Sequence, residues 1–193
     1  VEDKEIFNFD LKGRGQVTMQ DVLGESLNTG MVFAQGKLGN ENLRNYLYGF
    51  GFNTKTGIDL PNESRNLVDN LEVKGRRLEY ATASFGQGIA ITPITAVRAF
   101  SALANGGYLV TPHVVSYVIK DDVLGSREDF VFEKGTQVIK PETSETITSM
   151  LVKNVDEYYN EGKHKITHYS VAAKTGTAQI PNKEAGGYYD NQH

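Results

Sequence analysis

The chain has 193 residues, with 20 basic and 24 acidic side chains and a formal net charge of -4. That length suits one good-sized domain or a large piece of one, and the mild acidity, with no long single-sign run, argues against a nucleic-acid binder. No cysteine is present, which excludes thiol catalysis, disulfides and thiolate metal sites, and no apolar run is long enough to cross a bilayer.

Residues 1–16 are polar and glycine-punctuated, with Phe7 and Phe9 alternating and Gly13-Arg14-Gly15 as a flexible link, so no fold start is expected there. Residues 17–23 predict a helix capped by Thr18 and halted at Gly24. A second helix runs from Met31 to Leu38 with Gly39 as its C-cap, which puts Ser26 and Asn28 in the short connection between the two. Asn40 caps a third helix bearing Leu43, Tyr46 and Leu47, ended by Gly49 and Gly51. Residues 50–61 are rich in turn formers and contain a Lys55-Thr56-Gly57 that reads as a surface loop.

Residues 62–77 are charged and irregular, an exposed loop, and Phe85-Gly86-Gln87-Gly88 is a tight turn. Thr92-Pro93 opens the clearest helix, with Ile94, Val97, Phe100, Leu103 and Ala104 as its expected buried stripe and Asn105-Gly106-Gly107 as terminator. Residues 108–120 are apolar and β-branched, with Pro112 demoting part of them to an edge. Residues 130–139 predict a small hairpin around Lys134-Gly135. Pro141 opens a helix whose Ile147, Met150, Leu151, Val155 and Tyr158 recur at helical spacing, ending near Asn160 to Gly162. Helices followed by a mixed block of helix and short strands predict an α+β fold, an antiparallel sheet flanked by helices.

The stretch from His168 to Ile180 starts as an alternating strand, with Tyr169, Val171 and Ala173 on one face, and then turns cationic and hydroxyl-rich at Lys174, Thr175 and Thr177. Period-two geometry puts both threonines on one side, and Gly176 between them opens the backbone edge to a ligand. Such an edge suits an anionic, peptide-like ligand.

His164 and His168 are spaced as two metal ligands on a helix would be, but Lys165 stands where a zinc-protease pattern needs glutamate and the segment reads as a strand, so no metal and no cofactor is expected. His113 and His193 are isolated, and no serine-histidine-acid triad can be argued. Serine chemistry here would need a lysine base, as in the set Ser-x-x-Lys, Ser-x-Asn and Lys-Thr-Gly. The chain holds two of these three, Ser26-Leu27-Asn28 and Lys174-Thr175-Gly176.

With these motifs the chain resembles the transpeptidase domain of the penicillin-binding proteins, in the monofunctional class B branch, from about Gly15 to the end. The likeness also rests on Gly49-Phe50-Gly51-Phe52, Thr56-Gly57-Ile58-Asp59-Leu60-Pro61, Ser84-Phe85-Gly86-Gln87-Gly88 before Thr92-Pro93, and Ala104-Asn105-Gly106-Gly107. It implies a β-lactamase/transpeptidase-like fold, incomplete at both ends. It implies a serine-type D,D-transpeptidase that cross-links peptidoglycan stem peptides ending in D-alanyl-D-alanine and is trapped by β-lactams. It places the parent protein on the extracytoplasmic face of the membrane, held by an N-terminal anchor not present here, with other cell-wall synthesis proteins as partners.

By the same resemblance Ser26 relays a proton, Asn28 bonds the substrate amide, and Lys174 supplies positive potential and holds Ser26. Thr175 and Thr177, with Gly176 between them, bind the terminal carboxylate, and the Thr177 N–H is half of an oxyanion hole. Lys55-Thr56-Gly57 falls in a structural loop of the family. No Ser-x-x-Lys occurs in residues 1–193, so the chain is expected to be an internal piece whose nucleophile lies upstream, inactive alone and prone to association through an exposed sheet edge. The same motifs also suit a noncatalytic relative that senses β-lactam or peptidoglycan or scaffolds partners, and a serine β-lactamase relative, against which the class B segments weigh.

Overall fold

The first helix, α1 (Met19–Gly24), begins where the sequence places it. Thr18 Oγ1 accepts the Asp21 N–H, and the Asp21 carboxylate accepts the Thr18 N–H at 2.9 Å, a reciprocal capping box. The structure, a computed structural model, describes residues 1–72, 75–131 and 133–180 with Asn182 and Tyr189. Val73, Lys74 and Phe132, which fall inside predicted segments, and His193 lie outside them.

The chain divides into two units, Val1–Arg44 with Asp69–Ile89 and Ile147–His193, and Asn45–Val68 with Ala90–Thr146. In the first unit, α1 is followed by α2 (Asn28–Leu38), closed by Gly39 at φ 85; α3 (Asn40–Gly49) begins at once and runs across the boundary between the units. Asn28 is therefore the first residue of α2, and only Ser26 and its neighbours form the connection. α2 packs on α1 so closely that a Cβ on Gly30 would sit 2.5 Å from the Val22 side chain. α4 (Arg77–Ala83) buries Tyr80, Ala81 and Ala83, and the Tyr80 hydroxyl lies 2.9 and 2.8 Å from the Leu71 and Glu72 carbonyls.

Residues 1–16 are not a loose start. Buried Asn8 donates to Lys12 O and accepts from the Thr29 N–H and hydroxyl at 3.1 and 3.0 Å, docking this segment on the first turn of α2. The exposed-loop reading of residues 62–77 holds for most of the described residues but not for its middle. Val68 and Leu71 are buried, a 3₁₀ turn spans Asp69–Leu71, and Leu67 exchanges backbone bonds with Ala90. Asn66 explains why: its amide accepts the Thr92 N–H at 2.8 Å and donates to Thr95 Oγ1 and Phe52 O, satisfying buried polar groups that would otherwise hold water.

In the second unit, α5 (Pro93–Ala104) starts at its Thr92 cap and Pro93, as expected, but its buried side is rotated. Thr95 and Ala102 face inward, whereas Val97 and Phe100 are 64% and 63% exposed. The Asn66 and Thr92 hydrogen bonds draw the polar Thr95 inside, a pull that apolarity alone does not register. After α5, Gly106 and Gly107 have φ of 84° and 96°, and a Cβ on Gly107 would meet Ile139 O at 2.0 Å.

The strands are short and antiparallel. β1 (Tyr108–Leu109) pairs with β4 (Thr136–Gln137), and β2 (Tyr117–Ile119) pairs with β3 (Arg127–Asp129). The hairpin is thus formed by residues 117–129, not by 130–139. Its turn is built on Asp122, whose carboxylate accepts the N–H groups of Leu124 and Ser126 at 3.1 and 3.0 Å. Lys134-Gly135 instead leads into β4, which finds a partner farther back in the sequence.

α6 (Pro141–Lys153) follows the predicted spacing and continues into a π turn (Asn154–Tyr158) and a 3₁₀ turn (Tyr159–Gly162). Among the described residues no helix is long and apolar enough to cross a membrane. The strand predicted from His168 to Ile180 is not formed: residues 171–180 carry no regular structure. A strand requires a ladder, and this segment's backbone bonds go elsewhere, from the Ala173 N–H to Leu151 O at 3.3 Å and from the Thr175 N–H to the Tyr159 hydroxyl at 3.0 Å.

Candidate active site

Ser26 is placed by the way α1 ends. Glu25 donates its N–H to Asp21 O, Ser26 takes φ 57, and the Leu27 N–H turns back to Val22 O at 2.9 Å. This is a Schellman ending with serine at the left-handed position where glycine is usual, and its customary apolar contact is supplied by Leu27 and Val22, 1% and 4% exposed. The serine is consequently held between two helices by a buried pair on one side and by the start of α2 on the other.

Lys174 reaches this serine from 148 residues away, its Nζ donating to Ser26 Oγ at 2.8 Å. The same ammonium donates to Thr175 O at 2.8 Å and to Thr175 Oγ1 at 3.3 Å. All three acceptors are neutral oxygens, so burial without a countercharge pushes the lysine below its ordinary value of 10.5. Ser26 Oγ, accepting from the lysine, keeps its own O–H for donation. A hydroxyl beside a half-buried cation can pass a proton, and the cation adds positive potential for an anionic ligand.

The exposed residues Thr175, Gly176 and Thr177 follow on the same segment. The first unit therefore brings together Ser26, Lys174 and Thr175. Asn28 is not drawn in by its amide nitrogen, which donates to Phe7 O at 3.0 Å. Sequence reasoning missed three residues that touch this neighbourhood. Gln87 donates to Gln179 at 3.3 Å, Asn154 donates to Ala173 O at 3.4 Å, and Tyr159 accepts from Thr175. Gln87 was visible only as a turn residue; the π turn that aims the other two has no signature in the pattern of apolar positions.

The described fold belongs to a known group. The penicillin binding protein transpeptidase domain family matches residues 2–193, and the chain belongs to it. It is 39% identical over 186 residues to stage V sporulation protein D of Bacillus subtilis, covering 94% of this chain and 27% of that protein. It is 30% identical over 187 residues to a peptidoglycan D,D-transpeptidase FtsI homolog of Mesostigma viride, covering 89% and 31%. Among solved structures, penicillin binding protein 3 of Mycobacterium tuberculosis complexed with aztreonam matches with TM-score 0.85 and 28% identity, over 96% of this chain and 42% of that one. The chain thus spans about a quarter to a third of the relatives' length.

Proposed function

We propose that this chain is part of a peptidoglycan D,D-transpeptidase that works through an acyl-serine intermediate and binds β-lactams. The observation that carries the reading is the 2.8 Å hydrogen bond from Lys174 to Ser26, which joins the two motifs at one point. The nucleophile is the serine of a Ser-x-x-Lys motif, which residues 1–193 do not contain, and the chain by itself is inactive.

In the reaction, the nucleophilic serine loses its proton to the lysine of its own motif and bonds to the carbonyl carbon of the penultimate D-alanine. The C–N bond to the terminal D-alanine breaks, and Ser26 passes a proton to the departing nitrogen while the proton held by the motif lysine restores the Ser26 hydroxyl. An amine from a neighbouring stem peptide then attacks the ester, forming the cross-linking amide and returning the serine hydroxyl. Lys174 keeps Ser26 in this relay and supplies positive potential. Thr175 and Thr177 hydroxyls hold the terminal carboxylate, and the Thr177 N–H contributes to the oxyanion hole. Asn28 bonds the substrate amide after leaving Phe7 O, an exposed hydrogen bond whose loss costs about 1 kcal/mol. A peptidoglycan substrate implies action on the outer face of the bacterial membrane.

Labelling the full-length protein with a fluorescent penicillin tests the reading. The parent forms a covalent adduct and the Lys174→Ala variant does so about a hundredfold or more slowly; a variant labelled at the parental rate would sink the assignment.

A further inference from the structure

The turn that follows α6 is where three side chains leave one short stretch of backbone and fasten both halves of the Ser26–Lys174 pair. Asn154, 0% exposed, accepts from Gln20 Nε2 of α1 at 3.0 Å and donates to Ala173 O at 3.4 Å. Tyr158 donates its hydroxyl to Asp21 of α1 at 2.6 Å. Its ring lies over Gly24, where a Cβ would come within 2.3 Å of it. Tyr159 points the other way and accepts the Thr175 N–H at 3.0 Å.

We propose that the π turn Asn154–Tyr158 and the adjoining Tyr159 form a clamp, in which Tyr158 is a positioning residue for Ser26 and Tyr159 a positioning residue for Lys174 and Thr175. The proposal rests on the transpeptidase reading of that pair. The π geometry is what makes it work: inserting one residue into a helical turn rotates the side chains that follow, so consecutive tyrosines serve opposite walls. An uninterrupted α-helix would separate neighbouring side chains by about 100° on one cylinder and carry the chain onward, whereas here the turn ends at Tyr159, whose backbone is extended with ψ 109.

The Tyr158 half of the clamp keeps one protonation pattern across the neutral range. Hydrogen bonds from Thr18 and then Tyr158 hold Asp21 down at about 2. The hydrogen bond to Asp21, followed by burial, holds Tyr158 up at about 12. The Tyr159 bond engages a backbone N–H, which does not titrate. The hydroxyl remaining on Tyr159 can donate, so this side chain both fixes Thr175 and borders the place where the ligand carboxylate is expected.

The test uses the full-length protein and a fluorescent penicillin in stopped-flow saturation experiments, which separate the noncovalent dissociation constant from the limiting acylation rate. Tyr158→Phe keeps the ring over Gly24 and loses only the tether; it is expected to lower the limiting rate about tenfold or more with the dissociation constant within about twofold. Tyr159→Phe is expected to raise the dissociation constant about tenfold through Thr175. Parental values for both constants in both variants overturn the proposal. So does an activity loss that merely tracks the folded fraction, with the constants of the folded molecules unchanged. Should Tyr158→Phe fail to fold, Tyr159→Phe decides by the same criterion. A parent that does not acylate removes the transpeptidase reading and this proposal together, whereas a parent that acylates beside two unaffected variants removes this proposal alone.

Discussion

The chain contains Lys-Thr-Gly twice, and the two copies differ in what their surroundings have done with the same atoms. At Lys55-Thr56-Gly57 the backbone donors are already taken: the N–H groups of Thr56 and Gly57 give 2.6 and 3.1 Å bonds to the Glu63 carboxylate. Thr56 is buried and Lys55 is turned outward. At Lys174-Thr175-Gly176 the lysine is turned inward to Ser26 and the threonine and glycine are exposed. In one copy a carboxylate of the chain itself occupies the donors; in the other the Thr175 N–H meets the neutral Tyr159 hydroxyl beside a cation. The tripeptide therefore carries no chemistry until its neighbours decide whether a carboxylate of the protein or one of a ligand will occupy it.

The sharpest way to break this comparison is to remove each lysine from the full-length protein. Lys174→Ala is expected to slow penicillin labelling by a hundredfold or more, on the scale of about 10²–10⁴ for a group engaged in proton transfer. Lys55→Ala is expected to leave the labelling rate unchanged. Equal losses in the two variants would erase the distinction. A smaller effect is expected from Glu63→Ala, which strands the buried Thr56 donor and lowers unfolding free energy by about 1–3 kcal/mol while penicillin labelling of the folded protein stays at the parental rate. Calorimetry beside labelling reads both.

The mildest effect is a pH dependence at the second copy's support. Asp21, held at about 2 against an ordinary 3.8, adds stability that is fully present above about pH 4 and is lost as pH falls toward 2. Tyr158, held at about 12 against 10.0, adds stability that is present below about pH 10 and is lost as pH rises toward 12. Melting temperatures of the parent should therefore slope down at both ends, and Tyr158→Phe should make both slopes shallower. Unchanged slopes would detach the tyrosine from Asp21.

Much of this was legible from the residues because local chemistry decides it. Thr18, Thr92 with Pro93, and Gly39 each start or stop a helix where a side-chain cap or left-handed backbone requires it. Ser26 and Lys174 were legible as motif members. What was not legible depended on partners distant in sequence. The inward turn of Thr95 needs Asn66, the β1–β4 ladder joins segments separated by the whole 117–129 hairpin, and the His168–Ile180 alternation could not reveal that its backbone would bond to Leu151 and Tyr159. The π turn depends on how α6 must end between α1 and the lysine segment, a condition no apolar period encodes.

The left-handed backbone of Ser26 has a consequence for how this molecule would respond to selection. A side chain at φ 57 costs roughly 1 kcal/mol relative to glycine, so a screen for thermostability alone weighs relief of that strain in Ser26→Gly against loss of the Lys174 hydrogen bond. Any survivor of such a screen that carries glycine there would melt later and label with penicillin more slowly, since the relieved position no longer carries a hydroxyl. Position 26 is thus a point where stability and activity pull apart, and a thermostable variant lacking that serine would be better material for crystals than for catalysis.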